Sequence, residues 1–179
     1  MVDVGPVTVG SLVARAIADP AKLANELGGW VLVGPRPQSE EQEWSFRTLS
    51  ARTVRDASGE IEAVLDDTYV VLALKKTQRG PFASTILVGR SRTNDVCVSH
   101  SSISKLHARI RVGNDGLFLS DAGSSNGTSV NGMRLASDAE QRLANGLQVR
   151  FGGCSFQVFE PRRFAELLQR FSRTATSPR

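Results

Sequence analysis

Between Gly89 and Gly132 the chain is dense in Gly, Asn, Ser and Asp, yet short apolar runs break it up at regular intervals. Those runs are Ile86–Val88, Ala108–Val112 and Leu117–Leu119. In the second the alternation is clean: Ala108, Ile110 and Val112 face one way, Arg109 and Arg111 the other. That is the period-two signature of a half-buried strand. Asn114-Asp115-Gly116 separates two such runs and predicts a hairpin turn. Short strands joined by long polar loops point to a β-sandwich whose loops carry the function.

The loops hold a consistent set of donors. Arg90 follows Gly89 at a strand end, Ser104-Lys105 follows a serine-rich loop, and Ser124-Ser125-Asn126-Gly127-Thr128 forms a third loop. Asn131-Gly132 is a further tight turn. A guanidinium, an ammonium, rotatable hydroxyls and loop amides are what a tetrahedral dianion requires. Asn126 offers a donor and an acceptor, which suits reading a peptide main chain. The chemistry is that of a phosphate site on loops.

The ordered set Gly89-Arg90, Asn94-Asp95, Ser104 with His107, Ser125-Asn126-Gly127-Thr128 and Asn131-Gly132 resembles the forkhead-associated (FHA) domain, over residues 68–160. The resemblance implies a phosphothreonine-binding β-sandwich of two antiparallel sheets. By that resemblance Arg90 and Ser104 contact the phosphate, Ser125 adds a hydroxyl, Lys105 a further charge, and Asn126 holds the peptide backbone. Gly89, His107, Gly127, Asn131 and Gly132 fall at positions that shape the loops. The pattern departs at Asn145-Gly146-Leu147, where family members often carry Gly-Asp, which puts a local turn in question.

Each residue also has a plainer reading. Arg90 and Lys105 could be solvated charges, Ser104 could cap a turn, and Ser125 and Asn126 are both common turn-formers. Asn126-Gly127-Thr128 matches a glycosylation sequon, which has no weight without a secretory signal. Their occurrence together and in order favours the phosphate site.

The flanks are of a different character. Val9–Ala18 places Leu12, Val13, Ala16 and Ile17 at helical spacing. Asp19-Pro20 restarts a helix as N-cap and first position, and Gly28-Gly29 stops it. Trp30–Val33 is apolar and extended, and Gly34–Glu43 is a linker. Trp44–Val54 and Ile61–Leu65, joined by Asp56-Ala57-Ser58-Gly59, predict an added hairpin. Thr68–Lys75 is expected as the first core strand, and Lys75–Pro81 as a basic loop. Glu160-Pro161 opens a last helix with Phe164, Leu167, Leu168 and Phe171 on one face. The expected organisation is a helical segment over 1–35, linker and hairpin over 36–67, the FHA-like domain over 68–160, a helix over 161–173, and a disordered tail over 174–179.

Other classes of function find little footing. No Gly-x-Ser-x-Gly elbow, phosphate-cradling P-loop or kinase signature occurs, so no enzyme is expected. His100 and His107 lack companions for a metal, and no cofactor is expected. The net charge is +4, and Arg90, Arg92, Lys105, Arg109, Arg111 and Arg134 cluster around the proposed site. Such a patch would steer a phosphopeptide. Nucleic acid is not expected, because no Phe, Trp or Tyr lies between Thr85 and Leu117 to stack a base. No apolar run is long enough to span a bilayer, and no membrane partner is expected. Cys97 and Cys154 read as buried reduced thiols in a cytoplasmic protein. The expected function is a signalling adaptor. Its partner is a phosphothreonine protein, either a substrate of a Ser/Thr kinase or the kinase itself. The alternative is a phospho-independent scaffold or oligomerisation protein using the N-terminal helices or the hairpin. Oligomeric state is open.

Overall fold

The computed structural model describes residues 7–37, 51–77 and 84–174. Residues 44–50 of the expected strand Trp44–Val54, most of the linker, the basic loop beyond Thr77 and the tail over 175–179 lie outside these residues.

Two sheets form the sandwich. The larger orders six strands as β10-β9-β12-β13-β1-β4: Met133–Arg134, Thr128–Val130, Gln148–Phe151, Cys154–Phe159, Val31–Gly34 and Val70–Ala73. The smaller orders five as β11-β8-β7-β5-β6: Gln141–Arg142, Gly116–Asp121, Ala108–Gly113, Thr85–Gly89 and Val96–Cys97. Described strand pairs are antiparallel except β5 with β6, which run parallel over Val88↔Val96 and Gly89↔Cys97. Strand alternation points Ile86, Val88, Ala108, Ile110, Leu117 and Leu119 from one sheet against Val130, Val149, Phe151, Phe156 and Val158 from the other. Full burial of each of these side chains larger than Ala is worth about 1.5–3 kcal/mol.

Val112 departs from the expected alternation: it is 45% exposed at the end of β7, beyond the reach of the core. Cys97 is a second correction. Val96 takes the inward position of the two-residue β6, which leaves the Cys97 thiol exposed, while Cys154 is buried and its thiol is pushed up by burial.

The flanks build a third layer over the outer face of the larger sheet. Strand β1, N-terminal to the segment expected to open the sandwich, sits between β13 and β4, with Leu32 opposite Val158 and Leu72. Both its faces are buried. Leu32 joins the sandwich core, whereas Val31 and Val33 point into a second core. Helices α1 (Val9–Ala18), α2 (Pro20–Leu27) and α3 (Pro161–Thr174) complete that second core with Leu12, Ala16, Leu23, Phe164, Leu167, Leu168 and Phe171. The local signals are realised. Asp19 Oδ1 accepts from the Lys22 amide, Pro20 opens α2, and Gly28 closes it at φ +67°.

The hairpin β2 (Arg52–Arg55) with β3 (Ile61–Leu65) forms its own two-stranded sheet instead of extending the sandwich. Its Val54, Ala63 and Leu65 enter the second core. Glu62 ties it to α3 through Arg163 Nε at 2.6 Å and through Arg170. Ahead of α1, the Val9 amide bonds to Tyr69 O and the Val71 amide to Val7 O, so the chain covers the free edge of β4. At the departure from the family pattern a turn still forms. Gly146 has φ +79°, and Asn145 Oδ1 accepts from the Glu160 amide at 2.7 Å. No helix among the described residues is long and apolar enough to cross a membrane.

Candidate functional site

Antiparallel pairing delivers four segments to one end of the sandwich: the exit of β5, the entry to β7, the exit of β8 with the entry to β9, and the β12–β13 turn. The loops there are laced by backbone bonds. The Arg90 amide donates to Ser104 O at 2.9 Å, and the Ser91 amide to Lys105 O at 3.1 Å. Gly89 is required by closeness, since a Cβ there would fall 2.4 Å from Lys105 O. Asn94 reinforces the join, its Nδ2 donating to Ser91 O and to Lys105 O.

Arg90 is exposed, with Nε donating to Ile103 O at 3.0 Å. That bond aims the guanidinium and leaves its terminal nitrogens for a ligand. Ser104 Oγ accepts from the Ser125 amide at 3.1 Å, so its hydroxyl proton remains available. Ser125 and Lys105 are exposed. Among the described residues no carboxylate pairs with Arg90 or Lys105. Asn126 donates through Nδ2 to Ser102 O at 2.8 Å, which fixes the amide plane and leaves Oδ1 as an acceptor.

His107 is buried beneath these loops. Its Nδ1 accepts from the Ser104 amide at 3.1 Å, so Nε2 carries the proton and donates to Gly127 O at 3.2 Å. Edge-on packing against Phe151, with ring centroids 5.8 Å apart, seats the ring. Burial holds the imidazole pKa below its ordinary value, against a counter-effect from Gly127 O and Asp121. Gly127 has φ +79°, and a Cβ there would lie 2.6 Å from Arg134 Cζ. Asn131 and Gly132, at φ +47° and +82°, form the two-residue turn between β9 and β10. Asn131 Oδ1 accepts from the Gln148 amide at 2.9 Å, so this pair shapes the sheet edge behind the site loops.

Two further supports, Asp121 and Ser102, were not singled out in the sequence, and Asp95 entered there only as part of the ordered motif. Asp121 gathers Ser124 Oγ, Thr128 Oγ1 and the amides of Gly123 and Ser124. Burial raises its pKa, but these donors outweigh it and the net shift is downward. Ser102 Oγ accepts from the Gly153 amide at 2.8 Å and lies 2.8 Å from His100 Nδ1. Asp95 reaches back to Lys76 Nζ, Thr77 and the Leu87 amide, tying the loop after β5 to the start of that strand. Asp121 stands after the run Gly116–Ser120 and before Gly123, the one local hint of a carboxylate-organised turn.

The family model of the FHA domain matches residues 86–152. Among solved structures, the chain is similar to the FHA domain of an Arabidopsis thaliana hypothetical protein, at 35% identity over 42% of this chain and 65% of that one, TM-score 0.40. It is similar to the N-terminal FHA domain of Saccharomyces cerevisiae Rad53p, in complex with a phosphothreonine peptide, at 23% identity over 64% and 96%, TM-score 0.44. The FHA domain of the Chlamydia trachomatis CT664 protein aligns at 23% identity over 73% and 96%, TM-score 0.41. No curated protein sequence matches the chain significantly.

Proposed function

We propose that the chain is a phosphothreonine-dependent interaction module acting as a signalling adaptor. The observation that carries this reading is the convergence of Arg90, Ser104, Ser125 and Asn126 on one loop cluster within the segment that matches the FHA domain. In that arrangement the Arg90 guanidinium and the Ser104 hydroxyl, with Lys105 and Ser125, meet the dianion, and Asn126 Oδ1 receives a main-chain N–H of the peptide. Recognition proceeds without bond-making, so the chain works as a binding module and not as an enzyme. The partner is a phosphothreonine protein, a substrate of a Ser/Thr kinase or the kinase itself. Two free thiols fit a reducing compartment, and a cytoplasmic location belongs to this reading.

Fluorescence anisotropy against a degenerate phosphothreonine peptide library, with phosphoserine and unphosphorylated libraries beside it, tests the proposal. Selective binding of the phosphothreonine library is expected. Equal binding of all three, or none by folded protein, would refute it. The scaffold alternative placed the interface on the N-terminal helices or the hairpin, whose Val54, Ala63 and Leu65 enter the second core. Leu12, Ala16, Leu23 and Leu27 of those helices are buried in the same core.

A further inference from the structure

The carbonyl that fixes Asn126 belongs to a turn closed by one of its own side chains. The turn runs from His100 to Ile103, with the Ile103 amide donating to His100 O at 3.1 Å. Inside it the Ser102 amide donates to His100 Nδ1 at 3.2 Å, and Ser102 Oγ lies 2.8 Å from the same nitrogen. An amide N–H can only donate, so Nδ1 carries no proton and the ring is the neutral Nε2–H form. Ser102 Oγ also accepts from the Gly153 amide at 2.8 Å, which leaves its own proton for Nδ1. Gly153 gives the pair room, since a Cβ there would fall 3.0 Å from Ser102 Oγ.

The turn presents two consecutive carbonyls to the site. Ser102 O accepts from Asn126 Nδ2 at 2.8 Å, and Ile103 O from Arg90 Nε at 3.0 Å. They are held by different means. Ile103 is 1% exposed and sits in the sandwich core, and the Arg90 amide has its own bond to Ser104 O. Ser102 is only partly buried, and both its amide and its hydroxyl rest on His100. On the other side its carbonyl is confined by Gly152, where a Cβ would fall 2.4 Å away. A carboxamide turned over keeps its shape and exchanges O for N. Ser102 O can bond only the donor half, so it decides that Asn126 Oδ1 is the half left for a ligand.

We infer that His100 is a positioning residue for peptide binding. Its Nδ1 fixes Ser102, and the Ser102 carbonyl turns the Asn126 amide so that Oδ1 faces the partner's main chain. The inference rests on the proposed function, in which Asn126 Oδ1 receives a peptide N–H. The route runs through Asn126 and not through Arg90, whose two anchors are the Ile103 and Ser104 carbonyls.

The test uses the full chain and the tightest phosphothreonine peptide drawn from the library, with dissociation constants read by anisotropy. His100→Ala should weaken binding about five- to thirtyfold, the worth of one or two main-chain hydrogen bonds. In an Asn126→Ala background the same change should cost less than about twofold, whereas in an Arg90→Lys background it should keep its full factor. His100→Asn, whose Oδ1 can stand where Nδ1 stands, should recover affinity to within about threefold of the wild type. The ¹H–¹⁵N resonances of the Asn126 side-chain amide in the unliganded protein should move in His100→Ala and hold in His100→Asn. Should His100→Ala fail to fold, His100→Gln, whose acceptor reaches the Nε2 position instead, takes its place with the same expectations. Wild-type affinity in that variant, or an equal loss in the Asn126→Ala background, overturns the inference and leaves the phosphothreonine reading intact. Failure of the folded wild type to bind any phosphothreonine peptide overturns both.

Discussion

The amide of Ser104 donates to Nδ1 of His107, 3.1 Å away, and this bond sets the tautomer that lets Nε2 hold Gly127 O. One buried ring therefore joins the loop that carries Ser104 to the loop that carries Asn126. His107→Ala would take the partner from the Ser104 amide, leave Gly127 O to the Gly152 amide alone, and open a cavity beside Phe151. A loss of about 2–4 kcal/mol in unfolding free energy is expected, read by urea denaturation. A loss below 1 kcal/mol would mean that the ring is a passenger.

The same histidine gives a pH signature. Burial lowers its folded pKa below the unfolded value of 6.5, so between the two the unfolded chain binds more protons. Its contribution to stability is present above about pH 6.5 and declines as pH falls below it. Midpoints of urea unfolding should therefore fall between pH 7 and pH 5 in the wild type, and less steeply in His107→Gln. Parallel declines in the two proteins would assign the effect elsewhere.

Asp95 titrates in a lower window. Its side chain is 1% exposed and its pKa is held at about 2. Burial pushes that value up, but bonds from the Leu87 amide, Thr77 and Lys76 more than offset it. With the pKa depressed from 3.8, the stabilisation is present above about pH 4 and lost as pH falls through 2. Asp95→Asn should cost roughly 2 kcal/mol at pH 7, with the gap to the wild type closing near pH 2. A gap independent of pH would mean that shape, not charge, gives Asp95 its effect.

Arg90 differs from both because its side chain is exposed and, among the described residues, bonds through Nε to Ile103 O. Arg90→Ala should leave unfolding within about 0.5 kcal/mol of the wild type. Phosphothreonine-peptide affinity should fall about 30- to 700-fold, as when one side of a desolvated charge pair is removed. Arg90→Lys should recover part of it, since an ammonium keeps the charge and loses the fork. An unchanged dissociation constant for Arg90→Ala would remove the residue from the phosphate site.

What could be seen in the sequence was whatever is encoded within a few residues. Ala108 and Ile110 declared their strand by alternation, Asp19-Pro20 its cap, and Asn131-Gly132 its turn, because each depends on local sterics and hydrogen bonds. The ordered loop motifs pointed to the proposed site in the same way. Pairings across long separations left no such trace. Nothing local shows that Val31–Gly34 inserts between β13 and β4, or that Asp95 bonds Thr77, eighteen residues before it. Cys97 was misplaced because in a strand of two residues alternation has no register to reveal.

The third layer gives the last prediction. Helix α3 turns Phe164, Leu167, Leu168 and Phe171 onto the outer sheet face, where Val31, Val33 and Phe159 wait opposite, and all are buried. Phe159 and Phe164 stack with centroids 5.8 Å apart, and Arg52 lies 3.8 Å over the Phe171 ring. The layer therefore covers an apolar surface that a sandwich cut at residues 68–160 would expose, besides losing β1 from the middle of its sheet. Such a fragment should aggregate or unfold, although it contains every residue of the proposed phosphate site. In the full chain, Phe164→Ala should cost about 3–5 kcal/mol of stability. Phosphopeptide affinity of the protein that remains folded should be unchanged, because α3 packs against α1, α2 and β2. A stable, binding-competent 68–160 fragment would show that the helices are an appendage and reopen the search for a role of their own.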